Sequence, residues 1–113
     1  MAREPQIFKD HLSLIVLSVL RSGSMYGYEL VQAVKARSDN ALDLREGVVY
    51  PLLHRLVADG LLASQWGDSE KGPRRRYYSL TAKGRSVREQ QADQWHAFAG
   101  AVNRVIGGEP CVA

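Results

Sequence analysis

The sequence predicts a mainly α chain with one β-hairpin, an α+β order of three helices, a two-stranded ribbon and a last long helix. Three observations predict it. Apolar residues recur at helical spacing in three runs before residue 60; they alternate at period two on both sides of a turn-rich loop within 61–80; and helical spacing returns from 82 to about 106. At 113 residues and 45% apolar content, one compact domain is expected, and the composition disfavours disorder, collagen and a coiled-coil rod.

Leu12, Leu14, Ile15, Val16, Leu17, Val19 and Leu20 form a segment that is apolar almost all round, as an interior helix is. Arg21-Ser22-Gly23 ends it, Gly23 suiting the left-handed C-terminal position and Ser24 placed to cap the next helix. From Tyr26 to about Arg37, Leu30, Val31 and Val34 mark that second helix, with Tyr26 and Tyr28 extending its packed face. Ser38-Asp39-Asn40 is turn chemistry. In the third run Val49, Leu52, Leu53, Leu56 and Val57 line one face, and Asp59-Gly60 closes it. Gly47, Val48, Pro51, His54, Arg55 and Ala58 lie opposite, a slim face barely charged near its start. Pro51 is expected to be tolerated because it lies near the helix start, where most backbone donors lack partners anyway.

Leu61 to Trp66 and Arg74 to Leu80 read as two aromatic-rich strands around Gly67-Asp68-Ser69-Glu70-Lys71-Gly72-Pro73. Thr81 then caps a last helix that Gly107-Gly108-Glu109-Pro110 stops near Ile106, leaving Cys111-Val112-Ala113 as a frayed tail. The net charge of +3 is unevenly placed: residues 1–70 carry seven Lys/Arg against nine Asp/Glu, 89–113 one against three, and 71–88 seven against none. All of the positive excess therefore sits on Lys71, Arg74, Arg75, Arg76, Lys83, Arg85 and Arg88, as an electrostatic footprint for phosphate would. On charge alone a solvated loop without a partner fits equally well.

Helix, helix, helix, hairpin, helix is the order of a winged helix-turn-helix followed by a C-terminal dimerisation helix. The expected organisation is a DNA-binding domain over 1–80, with 1–10 available to extend the first helix, a dimerisation helix over 81–106 and a flexible tail over 107–113. In such a fold the second helix braces the third, which keeps one face for the core and one for the major groove. Gly47, Val48, Tyr50, Pro51, His54 and Arg55 are the candidate DNA-contacting residues of that helix. Tyr50, at the flank of the apolar stripe, suits packing equally well, a surface His54 needs no role, and Arg55 is the best supported. Arg74, Arg75 and Arg76 are the wing candidates; alternation puts Arg74 and Arg76 on one face and Arg75 on the other, and leaves open which face meets DNA.

Four stretches, Met25-Tyr26-Gly27-Tyr28-Glu29-Leu30, Gly47 to Leu56, Asp59-Gly60-Leu61-Leu62 and Gly72 to Gly84, resemble in order and spacing the PadR family of bacterial transcriptional regulators. The resemblance spans roughly residues 11–106, and a single helix after the wing is similar to the compact sub-class. It implies a homodimer that represses a nearby operon, often one for detoxification or export, and releases its operator when an effector binds. Arg45 and Glu46 depart from the family, in which a small hydroxyl residue often caps the third helix.

On the last helix Arg88, Gln91, Trp95, Phe98, Val102 and Val105 recur in steps of three and four, and from Trp95 onward the seam is apolar. Trp95, Phe98, Val102 and Val105 are therefore the candidate dimer interface, which suits an operator built as an inverted repeat. The alternative is that Trp95 and Phe98 pack on their own first helix. By the resemblance, Trp95 of two copies sandwiches a flat aromatic or cationic effector, with Phe98, Leu14 and Ile15 nearby; an interface tryptophan without ligand is the alternative.

The rival functions are a winged-helix protein–protein module, whose hairpin meets an acidic partner, and nonspecific DNA binding. No phosphate-cradling glycine loop, His-Glu-x-x-His, nucleophile elbow or cysteine pair is present, so an enzyme is not expected. His11, His54, His96 and Cys111 fall on different elements, and no metal or other cofactor is assigned. No apolar run approaches the roughly 18–20 residues that a bilayer crossing needs, and the N-terminus lacks a signal peptide's basic-then-apolar order, so the cytoplasm, with no membrane partner, is expected.

Overall fold

In the computed structural model, which describes residues 11–67 and 72–107, the chain runs α1 (Leu12–Val19), a 3-10 turn (Leu20–Ser22), β1 (Met25–Tyr26), α2 (Gly27–Arg37), α3 (Glu46–Ala58), β2 (Leu62–Gly67), β3 (Arg75–Leu80) and α4 (Ala82–Ile106). The expected extension of the first helix over 1–10, the hairpin tip at 68–71 and the tail with Cys111 lie outside the described residues. The sheet is antiparallel in the order β1-β3-β2. Among the described residues no helix is long and apolar enough to cross a membrane.

The third strand corrects the sequence reading of the second helix. Met25 and Tyr26 pair with Tyr78 and Tyr77 of β3, so the ribbon becomes a three-stranded sheet. Tyr26, not Ser24, is the N-cap of α2, and its backbone N–H donates to the Glu29 carboxylate at 3.2 Å. The physical reason is that an extended Tyr26 stands opposite Tyr77 in the sheet and sets its ring edge-on to it, with centroids 5.5 Å apart.

Val16, Leu17, Val19 and Leu20 from the first segment meet Leu30, Val34, Val49, Leu53 and Leu56 in one buried core, which Leu62 and Tyr78 of the sheet close. Leu44, between the turn and α3, is buried with them, although no sequence period marks it. After α2 the chain reverses through Asp39 and Asn40, both left-handed (φ 52° and 66°), a conformation these short polar side chains tolerate. Pro51 is the sixth residue of α3, beyond the first turn, so it does remove a ladder bond, the one to the Gly47 carbonyl. Both residues are exposed, and water can serve that carbonyl.

The end of α3, the base of the hairpin and the start of α4 meet at one joint. Gly60 turns the chain in the left-handed region (φ 78°), and the Leu61 N–H donates to the Leu56 carbonyl at 2.9 Å. Thr81 caps α4 as expected: its Oγ1 accepts from the Gly84 N–H at 3.0 Å and donates to the Gly60 carbonyl at 2.6 Å. The Thr81 N–H donates to the Leu61 carbonyl at 3.2 Å, and Lys83 Nζ to the Asp59 carbonyl at 2.9 Å. Gly84 is buried, and a β-carbon there would collide with the Leu61 carbonyl oxygen.

From the joint α4 runs antiparallel along α1. Arg88 Nε donates to Ser18 Oγ at 3.0 Å near its start, and the Trp95 ring stands edge-on to His11 at 4.8 Å further along. Gly107, left-handed at φ 78°, ends the helix where expected.

Gly84→Ala should destabilise the chain by about 1–3 kcal/mol in denaturant unfolding, because the collision with the Leu61 backbone outweighs the roughly 1 kcal/mol that alanine gains over glycine in a helix. A variant as stable as the native chain would show that the joint yields freely.

Candidate nucleic-acid interface

The helical period of α3 divides it cleanly. Val49, Leu52, Leu53 and Leu56 are buried, while Gly47, Val48, Tyr50, Pro51, His54 and Arg55 are exposed, so all six sequence candidates lie on the open side. A β-carbon at Gly47 would meet nothing within 4 Å, which makes the start of α3 slim and unobstructed. Arg45 is the N-cap and supplies no side-chain cap bond. Tyr50 packs without being covered: its ring lies over Gly27, the first residue of α2, where a β-carbon would collide with it, yet it stays 40% exposed. Beside it Tyr28, 60% exposed, lines a small crevice between α2 and α3 with Gln32, Glu46 and Tyr50. This corrects the packed face expected for Tyr28; its place in the first turn of α2, before the apolar period begins, was the available signal against that.

The hairpin separates the three arginines as strand alternation requires. Trp66 of β2 pairs with Arg76 of β3, and the guanidiniums of Arg74 and Arg76 lie 5.6 and 5.3 Å from the Trp66 ring. Arg76 is also held by Ser64, whose Oγ accepts from its Nε at 3.1 Å and its Nη2 at 2.8 Å. On the other face Arg75 sits 4.4 Å over the Tyr26 ring. Each stacking contact at an exposed site stabilises by about 0.5–1 kcal/mol, enough to narrow the conformations of a long side chain. Trp66, 53% exposed between two cations, is a site residue that sequence reasoning passes over as an ordinary strand aromatic.

Tyr78 joins the two surfaces. Burial pushes its hydroxyl pKa up; the Arg76 charge pulls it back, and Tyr50 adds to the rise. Tyr78 is buried in the core with Val49 and Leu53 of α3, and strand alternation puts Arg76 on the same face of β3 two residues away, so the Trp66 face of the hairpin continues the side that packs toward α3.

Of the last helix, Trp95 is half-buried against His11 and lies near Phe98, centroids 6.3 Å apart. Phe98, Val102 and Val105 are exposed, Val105 at 86%, so the distal seam has no cover within the described chain. Leu14 and Ile15 line an apolar groove with Val19, Val34 and Leu42 that Trp95 and Phe98 do not line. The four residues expected around an effector therefore do not share this groove within one chain.

A first helix that anchors the core, a helix pair with one open face and a cationic hairpin whose β2 packs against α3 define a winged helix-turn-helix DNA-binding protein. The particular family emerges from comparison. Residues 16–90 match the transcriptional regulator PadR-like family, and the chain belongs to it. A PadR-like transcriptional regulator from Bacillus cereus is 30% identical, superposes with a TM-score of 0.79 and aligns over 93% of this chain and all of that one. A PadR family regulator from Eggerthella lenta is 34% identical over 89% of this chain and 86% of its own, with a TM-score of 0.76. A transcriptional regulator from Clostridium thermocellum is 27% identical over 88% and 97%, with a TM-score of 0.80. Membership makes this chain a DNA-binding regulator of transcription and not an enzyme.

Because the folded pKa of Tyr78 lies above the ordinary value of about 10, its contribution to stability is complete below pH 10 and is lost above it, where the unfolded chain ionises first. Denaturant unfolding of Tyr78→Phe should match the native chain within about 1 kcal/mol at neutral pH. Between pH 10 and 11 the native chain should lose stability faster than the variant; parallel curves would remove the burial argument.

Proposed function

We propose that the chain is a homodimeric, sequence-specific repressor whose α3 reads the major groove while the wing grips the flanking backbone. The observation that carries this reading is that Gly47, Val48, Tyr50, Pro51, His54 and Arg55 of α3 stand exposed while Arg74 and Arg76 stand on the hairpin face that continues from the buried Tyr78, which supports a single surface for one duplex. On it Gly47, Val48 and Pro51 let the start of α3 approach the bases, Arg55 and His54 reach base edges or phosphate, and Tyr50 lies at the flank. Arg74 and Arg76, on the side of α3, contact phosphate or enter the minor groove, and Arg75 on the far face adds longer-range attraction.

The exposed Phe98, Val102 and Val105 support a seam between two copies that continues from Trp95. Two recognition helices related by a twofold axis match an operator with half-sites about one helical turn of DNA apart. In this reading the effector site forms only in the dimer, where the two copies of Trp95 face a flat aromatic or cationic compound that prefers a spacing of α3 helices unsuited to the operator. Loss of an operon's repression on exposure to such compounds is the expected physiology, with detoxification or export as the regulated process.

Selection of bound duplexes from a random pool should return an inverted repeat, whereas a pool without any consensus would leave only nonspecific binding. On the selected duplex Arg55→Ala should relax preference by about 1–3 kcal/mol at one position, while Arg76→Ala should weaken all duplexes alike and lower the salt slope by about one. Equal effects of the two substitutions on preference would contradict the division of labour. Flat dyes should quench indole fluorescence in the native chain and in Trp66→Phe but not in Trp95→Ala; unchanged dye affinity in Trp95→Ala would remove the effector site.

A further inference from the structure

The basic stretch 71–88 does not form one surface. Its arginines at 74–76 lie on the hairpin, Lys83 is tied to the Asp59 carbonyl, and Arg85 and Arg88 turn instead toward Arg21 in the 3-10 turn after α1. Arg21, Arg85, Arg88 and Glu89 line a polar cleft of about 250 Å³. The single carboxylate among these lining residues leaves the cleft two positive charges in excess.

We propose that this cleft binds a phosphate group. Arg88 is half-buried and its Nε donates to Ser18 Oγ at 3.0 Å, which fixes the guanidinium against α1 and leaves its two terminal NH2 groups for an acceptor. Arg85 lies one turn earlier on the same side of α4, and Arg21 closes the cleft from the neighbouring element. Planar guanidinium forks match the oxygens of phosphate, and three of them repel one another until an anion sits between them. The phosphate is either a DNA backbone phosphate outside the half-site read by α3 or that of a free phosphorylated small molecule.

Thermal melts of the full chain in inorganic phosphate, against chloride at matched ionic strength, test the site without any DNA, so the result does not depend on the DNA reading. Phosphate stabilises proteins generally by exclusion, and the diagnostic is therefore the comparison with Arg85→Ala. The native chain should show a saturable rise in Tm that Arg85→Ala largely loses; Arg88→Lys, which keeps the charge but not the fork, should weaken it several-fold. If the ligand is DNA, Arg85→Ala lowers the salt slope by about one on a duplex extended beyond the selected site, and not on the minimal site, with base preference unchanged. If it is a free phosphate ester, the melt difference appears while both slopes stay as in the native chain. The same Tm response in native chain and Arg85→Ala, together with equal salt slopes, would overturn the proposal.

Discussion

The Leu61 carbonyl lies so close to the α-carbon of Gly84 that helix α4 can approach the end of α3 only where no side chain intervenes. The bonds clustered around that approach give it its reach. Thr81 holds the Gly60 and Leu61 carbonyls together, Lys83 holds that of Asp59, and the Leu61 N–H returns to Leu56 inside α3. The C-terminus of α3, both roots of the hairpin and the N-terminus of the last helix are therefore fastened at one point. Apart from Lys83, the bonds that set their mutual angles come from the backbone and the short Thr81 side chain, which have little room to swing.

A joint of that kind behaves as the fulcrum of a lever. Helix α4 is 25 residues long, about 37 Å at 1.5 Å per residue, and beyond Trp95 its apolar seam stands clear of its own described chain. A small rotation where two such helices would cross becomes a larger displacement at the far end of each unit. In the proposed dimer the effector therefore needs no contact with the DNA surface. It need only bind more tightly to one crossing angle than to another, and its leverage on DNA is limited to that difference in affinity.

Much of this is legible in the residues because the signals are periodic. The buried face of α3, the Thr81 cap, the Gly107 stop and the alternation of Arg74, Arg75 and Arg76 can be read from spacing alone, and the structure places each accordingly, whereas α1, read as interior all round, is buried only at Val16, Leu17 and Val19 and leaves Leu12, Leu14 and Ile15 half-buried. The features that escape a sequence reading are non-local. Met25 and Tyr26 are too few to show a strand period and become a strand only because Tyr77 and Tyr78, some fifty residues later, present an open edge. Leu44 looks like linker because one buried residue has no period. Gly84 sits in a helix where its helix propensity argues against it, and only the approach of Leu61 explains it. Trp66 is readable as an aromatic but not as an exposed one, since exposure depends on what packs nearby.

The fate of the basic run makes the same point about charge. Read along the chain, seven cations and no acids within 71–88 look like one patch. A strand advances about 3.3 Å per residue with alternating faces, whereas a helix turns about 100° per residue, so a run that crosses from β3 into α4 cannot keep its charges together. Arg74 and Arg76 are stacked on Trp66, Arg75 faces away on Tyr26, Lys83 braces the joint, and Arg85 and Arg88 meet Arg21 from a distant part of the sequence. Net charge by window thus finds the cations without telling which of them share a surface. The division is made at Thr81, where the strand ends and the helix starts.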